Sequence, residues 1–101
     1  MKRAVYLDRD GTLNVPILRE GRAYAPVTES DFRIYPEARA ALARLKDAGL
    51  LTIVVTNQPE LATGELTWKV LERLHGVLRR ALPIDDIYVC PHHSSEACDC
   101  H

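Results

Sequence analysis

Two aspartates stand two residues apart in Asp8-Arg9-Asp10-Gly11-Thr12, directly behind the apolar run Ala4-Val5-Tyr6-Leu7. Carboxylates this close invite a cation, and Mg²⁺ is the divalent ion that takes oxygen ligands of this kind. Such a pair also supplies groups for nucleophilic and acid–base chemistry. A second polar group, Thr56-Asn57-Gln58, follows the β-branched run Leu50 to Val55, and its hydroxyl and nearby N–H groups suit the oxygens of an anion. The third group is Cys90-Pro91-His92 with Cys98-Asp99-Cys100, which is Cys-x-His, five residues, then Cys-x-Cys. Three thiolates and one imidazole within eleven residues match a tetrahedral structural Zn²⁺ site that is closed to water and therefore not catalytic. The alternatives are cysteines buried as small apolar residues or paired as a disulfide. His93 and His101 are competing donors.

These groups need elements to hold them. Ala4 to Leu7 reads as a buried first strand, stopped by the polar turn that contains Gly11. Leu13 to Thr28 has no steady period and carries Pro16, Gly21 and Pro26, so it is expected to be a long loop or small flap over the first turn. From Pro36 to Ala48, apolar Ala38, Ala41, Leu42, Leu45 and Ala48 recur at helical spacing, with Gly49 just past the end. Leu50 to Val55 is the second strand. Val70, Leu71, Leu74, Val77, Leu78 and Ala81 predict another helix, with Thr67 as its N-cap and Pro83 as its stop. Ile87 to Val89 is the third strand. Alternating strands and helices predict an α/β fold, a Rossmann-like three-layer arrangement with a parallel sheet. Ligands in such sheets sit at the carboxyl ends of the strands, where all three polar groups fall.

The 101 residues make one domain, 1–101, with residues 90–100 as its zinc loop. Composition is globular, 47% hydrophobic and 27% charged. Thirteen Lys and Arg against fourteen Asp and Glu leave a net charge of -1, so no basic field exists to attract nucleic acid or an anionic membrane. The longest apolar run is too short to span a bilayer. The N-terminus lacks a signal-peptide cleavage site, which predicts a cytoplasmic protein. Phe32 and Trp68 are expected to pack an element onto the sheet, and Lys69, Arg73, Arg79 and Arg80 with Glu65 and Glu72 to form a solvated helix face.

Asp8 to Thr12 behind an apolar strand, followed by Ile53-Val54-Val55-Thr56-Asn57-Gln58, resembles motifs one and two of the haloacid dehalogenase superfamily of phosphohydrolases. The resemblance implies an aspartyl-phosphate mechanism. Asp8 would be the nucleophile, and Asp10 would protonate the leaving alcohol and then take a proton from water. Mg²⁺ would be bound by the Asp8 carboxylate and the Asp10 backbone carbonyl. Gly11 and Thr12 would present N–H groups to phosphate, joined by the Thr56 hydroxyl, with Asn57 and Gln58 as further substrate contacts. The alternative for Asp8 and Asp10 is a solvated Asx turn, and for Asn57 and Gln58 the satisfaction of loop backbone.

The zinc loop is similar to that of one branch of this superfamily, the heptose 1,7-bisphosphate and histidinol-phosphate phosphatases. In Pro59-Glu60-Leu61-Ala62-Thr63-Gly64, Ala62 and Gly64 agree with the heptose branch, while Pro59-Glu60 and Thr63 depart from its usual Ser-Gly and Arg. The implied substrate is a phosphorylated sugar, with the 7-phosphate of D-glycero-D-manno-heptose 1,7-bisphosphate first. Histidinol phosphate and a non-catalytic, zinc-stabilised half-domain are the alternatives. Family members continue with an Arg-Lys-Pro motif and a later acidic motif, so a chain ending at His101 is expected to be incomplete, to bind Mg²⁺ weakly and to lack full activity alone. Asp85-Asp86 precedes the third strand and cannot supply that acid. An unpartnered first strand is expected to drive self-association through Ala4 to Leu7.

Overall fold

The computed structural model describes residues 3–91. Three short runs rich in β-branched residues form β1 (Ala4–Asp8), β4 (Leu51–Asn57) and β5 (Asp86–Cys90), all parallel, in the order β1-β4-β5. The register sets Asp8 opposite Val55 and Cys90 opposite Asn57, so the polar residues gather at one end of the sheet. Two amphipathic helices make the crossovers, α1 (Ala38–Asp47) and α3 (Trp68–Ala81). Thr67 caps α3, its hydroxyl accepting from the Val70 amide at 3.2 Å.

Leu42 of α1 and Leu74 and Leu78 of α3 share one core with Val54 at the centre of β4, which is fully buried. Burying each such side chain contributes about 1.5 to 3 kcal/mol. Phe32 joins this core, as expected. Trp68 does not: at the first position of α3 it is 52% exposed and lines a surface cavity with Leu71 and His75. Ala41 and Ala48 are likewise exposed, so the buried stripe of α1 is narrower than its spacing suggests.

Parallel pairing places Tyr6, Ile53, Val55 and Tyr88 on one face of the sheet. That face is open among the described residues, with Tyr6 69% and Tyr88 53% exposed. No helix here is long and apolar enough to cross a membrane.

The segment expected as a loop or flap is a hairpin, β2 (Ile17–Arg19) against β3 (Arg22–Tyr24). Its two-residue turn, Glu20-Gly21, has positive φ at both positions (50° and 78°), the turn geometry that matches strand twist. Asp85 stands at the opposite end of the strands from Asp8, where its carboxylate accepts from Lys46 and from the Thr52 amide. These bonds hold its carboxyl below the usual range, with the Lys46 hydrogen bond the largest cause. It is a strand-entry residue.

Candidate active site

Asp8 ends β1 with its carboxylate exposed, and no described residue donates a hydrogen bond to it. Asp10 is the opposite case. Its carboxylate takes four hydrogen bonds: from Arg9 Nη2 at 2.8 Å and Nε at 3.3 Å, from Asn14 Nδ2 at 3.0 Å and from Gln58 Nε2 at 2.9 Å. The turn between them closes because Leu13 N and Asn14 N both reach the Arg9 carbonyl, at 2.8 and 3.2 Å, and Gly11 adopts a positive φ of 85°. One aspartate is thus open to a substrate and its neighbour is fixed in orientation.

Arg9, absent from the sequence-based expectations, is fully buried. Its guanidinium lies 5.3 Å from the centroid of the Phe32 ring and donates from Nη1 to His75 Nε2 at 3.0 Å. Arginine only donates, so His75 Nε2 accepts and the imidazole keeps its proton on Nδ1. Burial, then the positive charges of Arg9 and Arg79, push the His75 pKa down from 6.5 to about 4. A neutral histidine therefore orients the arginine that orients Asp10.

Two expected roles change. The amides of Gly11 and Thr12 do not face a ligand: Gly11 N donates to the Asn14 carbonyl at 2.8 Å and Thr12 N to that of Arg9 at 3.2 Å. The turn itself consumes them. Gln58, expected as a substrate contact, is fully buried and instead joins Asp10 to the Thr56 hydroxyl, which accepts from Gln58 Nε2 at 2.8 Å. Thr56 is buried too, and keeps its own hydroxyl proton to donate. Asn57 is exposed beside the site.

A cleft of about 520 Å³ opens over this arrangement, walled by Asp10, Gly11, Tyr24, Asn57, Pro59 and Glu60. The β2–β3 hairpin supplies one wall. A second cavity of about 310 Å³, against Trp68, Leu71 and His75, touches neither aspartate. Asp10 walls this cleft and Asp8 does not, but the exposed Asp8 carboxylate, without a donor among the described residues, and the acidic residue two positions on make an all-oxygen donor set of the kind Mg²⁺ takes. Among the described residues no group of three or more His, Cys, Asp or Glu comes together for a metal. Of the residues expected to bind zinc, Cys90 ends β5 and is buried, while His92, Cys98 and Cys100 lie outside the described residues.

Comparison with known proteins meets this geometry. A D-glycero-beta-D-manno-heptose-1,7-bisphosphate 7-phosphatase of Pasteurella multocida is 35% identical over 99% of the chain, and its counterpart in Escherichia coli K12 is 34% identical over 96%. The chain is similar to heptose bisphosphate phosphatases over nearly all of its own length. The solved D,D-heptose 1,7-bisphosphate phosphatase of B. bronchiseptica, complexed with magnesium and phosphate, superposes on all of it at a TM-score of 0.80 and 30% identity. That from Burkholderia thailandensis matches 86% of the chain at 0.64 and 29% identity. The α/β fold is that of haloacid dehalogenase-like phosphatases. The chain spans only 57% and 54% of the two sequence relatives and 56% of the first structure. No family model matches it.

Proposed function

We propose that this chain carries the reacting aspartates of a phosphomonoester hydrolase, acting on the 7-phosphate of D-glycero-D-manno-heptose 1,7-bisphosphate. The observation that carries this reading is the contrast at the end of β1: Asp8 is exposed and has no partner among the described residues, while Asp10 is gripped by Arg9, Asn14 and Gln58. The names of the sequence and structural relatives support the substrate.

In the first step an Asp8 oxygen attacks phosphorus. The bond from phosphorus to the sugar oxygen breaks, and Asp10, which must enter this step in its protonated form, gives its proton to that oxygen as it leaves. In the second step water attacks the aspartyl-phosphate, Asp10 takes the proton, and Asp8 is released with inorganic phosphate. The fixed orientation of Asp10 serves both transfers, because one group must face the leaving oxygen and then the incoming water from the same place. The Thr56 hydroxyl is the nearby donor for a phosphate oxygen. Mg²⁺ bound at Asp8 and Asp10 would neutralise charge on the transferring phosphoryl group.

The cysteine and histidine spacing supports a structural Zn²⁺ on Cys90, His92, Cys98 and Cys100, read out by metal content of the purified protein. Zinc thiolates of this kind suit a reducing, cytoplasmic setting.

The test is phosphate release with Mg²⁺ from heptose 1,7-bisphosphate and histidinol phosphate offered side by side. Turnover that prefers the heptose and vanishes in Asp8→Asn supports the reading. Turnover that persists in Asp8→Asn removes it.

A further inference from the structure

The cavity of about 310 Å³ that touches neither aspartate lies between α3 and β5. Behind the short helix α2 (Glu60–Thr63), the spacing of Trp68, His75 and Arg79 puts all three on one face of α3. Opposite them, Ile87 and Val89 share one face of β5 and join Leu71 as an apolar wall. A half-exposed indole, an apolar wall and a few polar groups are what a small-molecule site needs.

The polar groups here are donors. His75 is 9% exposed, and Arg9 occupies its Nε2, so the ring proton sits on Nδ1. Nδ1 has no partner among the described residues and is not sealed from solvent. The cavity is the space that His75 borders, so this N–H opens into it. A donor on a mostly buried ring lacks a match until an acceptor arrives, and the bond it then makes is stronger than in bulk water. Arg79, one helical turn on, is held loosely, 3.8 Å from Asp86 with both side chains about half exposed.

The charges favour an anion. After burial, the causes that keep His75 neutral are the positive charges of Arg9 and Arg79, with Asp10 opposing them from beyond Arg9. Glu72 also borders the cavity, but it is exposed, where water and salt screen its charge.

We propose that this cavity is a second ligand site, which binds a small planar aromatic carboxylate. The ring lies against Trp68 and the wall of Leu71, Ile87 and Val89, and the carboxylate accepts from His75 Nδ1 and from Arg79. The site is separate from Asp8 and Asp10, so it does not rest on the phosphatase reading.

Trp68 is the only tryptophan in the chain, so its fluorescence reports on this cavity. The 101-residue protein is titrated with benzoate, with benzamide, which keeps the ring and loses the charge, and with acetate, which keeps the charge and loses the ring. The expected result is a saturable change with benzoate, binding about tenfold or more weaker for benzamide, and no change with acetate. Arg79→Gln should weaken benzoate by about tenfold, and calorimetry on Trp68→Ala should show a comparable loss, with circular dichroism showing that both variants are folded. Benzoate should also shift a histidine ring resonance that is missing from the spectrum of His75→Gln. No saturable change with benzoate overturns the proposal, as does equal binding of benzamide. Full benzoate affinity in both Arg79→Gln and Trp68→Ala overturns it too, since the ligand then sits elsewhere.

Discussion

The Gln58 amide nitrogen donates to Asp10 Oδ2 at 2.9 Å and to the Thr56 hydroxyl at 2.8 Å, so one buried side chain fixes the turn after β1 relative to the end of β4. Asp10 and Gln58 are 48 residues apart in sequence. The contact converts strand pairing into the placement of a reacting group, because Asp8 and Val55 are already in register one turn away.

Gln58→Leu keeps the volume and removes the donor. Asp10 then loses its hydrogen bond from β4 while Asp8 is untouched. The expected outcome is a fall in kcat of about 10- to 100-fold with KM within a few-fold, since the loss is felt in proton transfer and not in ground-state binding. Steady-state kinetics of the variant checks this, with circular dichroism showing that the fold is kept. A rise in KM at constant kcat would make Gln58 a substrate contact after all.

His75 links stability to pH. Its folded pKa lies near 4, below the unfolded value of 6.5, so between these limits the unfolded chain binds the extra proton. Stability from this group is fully present above about pH 6.5 and is lost as pH falls toward 4, where both states become protonated. A shift of this size corresponds to an upper bound of about 3 kcal/mol. Urea midpoints across this range should fall toward acid in the parent and less steeply in His75→Gln. Parallel curves would contradict the neutral, buried imidazole.

How much of this was legible in the sequence differs by element. The three parallel strands and α3 declared themselves because each has an unbroken apolar period and a stop, and Thr67 sits where a cap must sit. Asp8 and Asp10 were visible from their spacing. The β2–β3 hairpin was read as a loop because its strands have three residues each, too few to show alternation, although Glu20-Gly21 carried the turn signal. Arg9 and His75 were invisible for a different reason: their contact joins residues 66 apart, and nothing local marks an arginine that is buried whole. Gln58 was assigned to the ligand because its position next to Thr56 was clear while its burial was not.

Arg9→Lys tests whether shape or charge holds Asp10. The guanidinium makes two bonds to Asp10 and one to His75 from a single plane beside Phe32, and an ammonium cannot reproduce that fork. A lysine here stays buried with incomplete partners, so the expected cost is about 2 to 4 kcal/mol in the denaturant midpoint. Activity should fall more than stability alone accounts for at temperatures where the variant is folded. A variant as stable as the parent would show that charge suffices.

The open sheet face gives the last prediction. β1 pairs only with β4 among the described residues, which leaves its outer N–H and C=O groups as an edge. Tyr6 and Tyr88 stand exposed on the same face as Ile53 and Val55, so apolar surface adjoins that edge. An edge with both features templates pairing with another strand. The 101-residue chain is therefore expected to self-associate, with a weight-average mass that rises with concentration in sedimentation equilibrium. Tyr6→Lys places a charge in the middle of the edge strand, the device by which natural edges resist pairing, and should return the chain to monomer at the same concentrations. Association unchanged by Tyr6→Lys would place the contact elsewhere, and a parent that is monomeric throughout the series would show that this face does not pair.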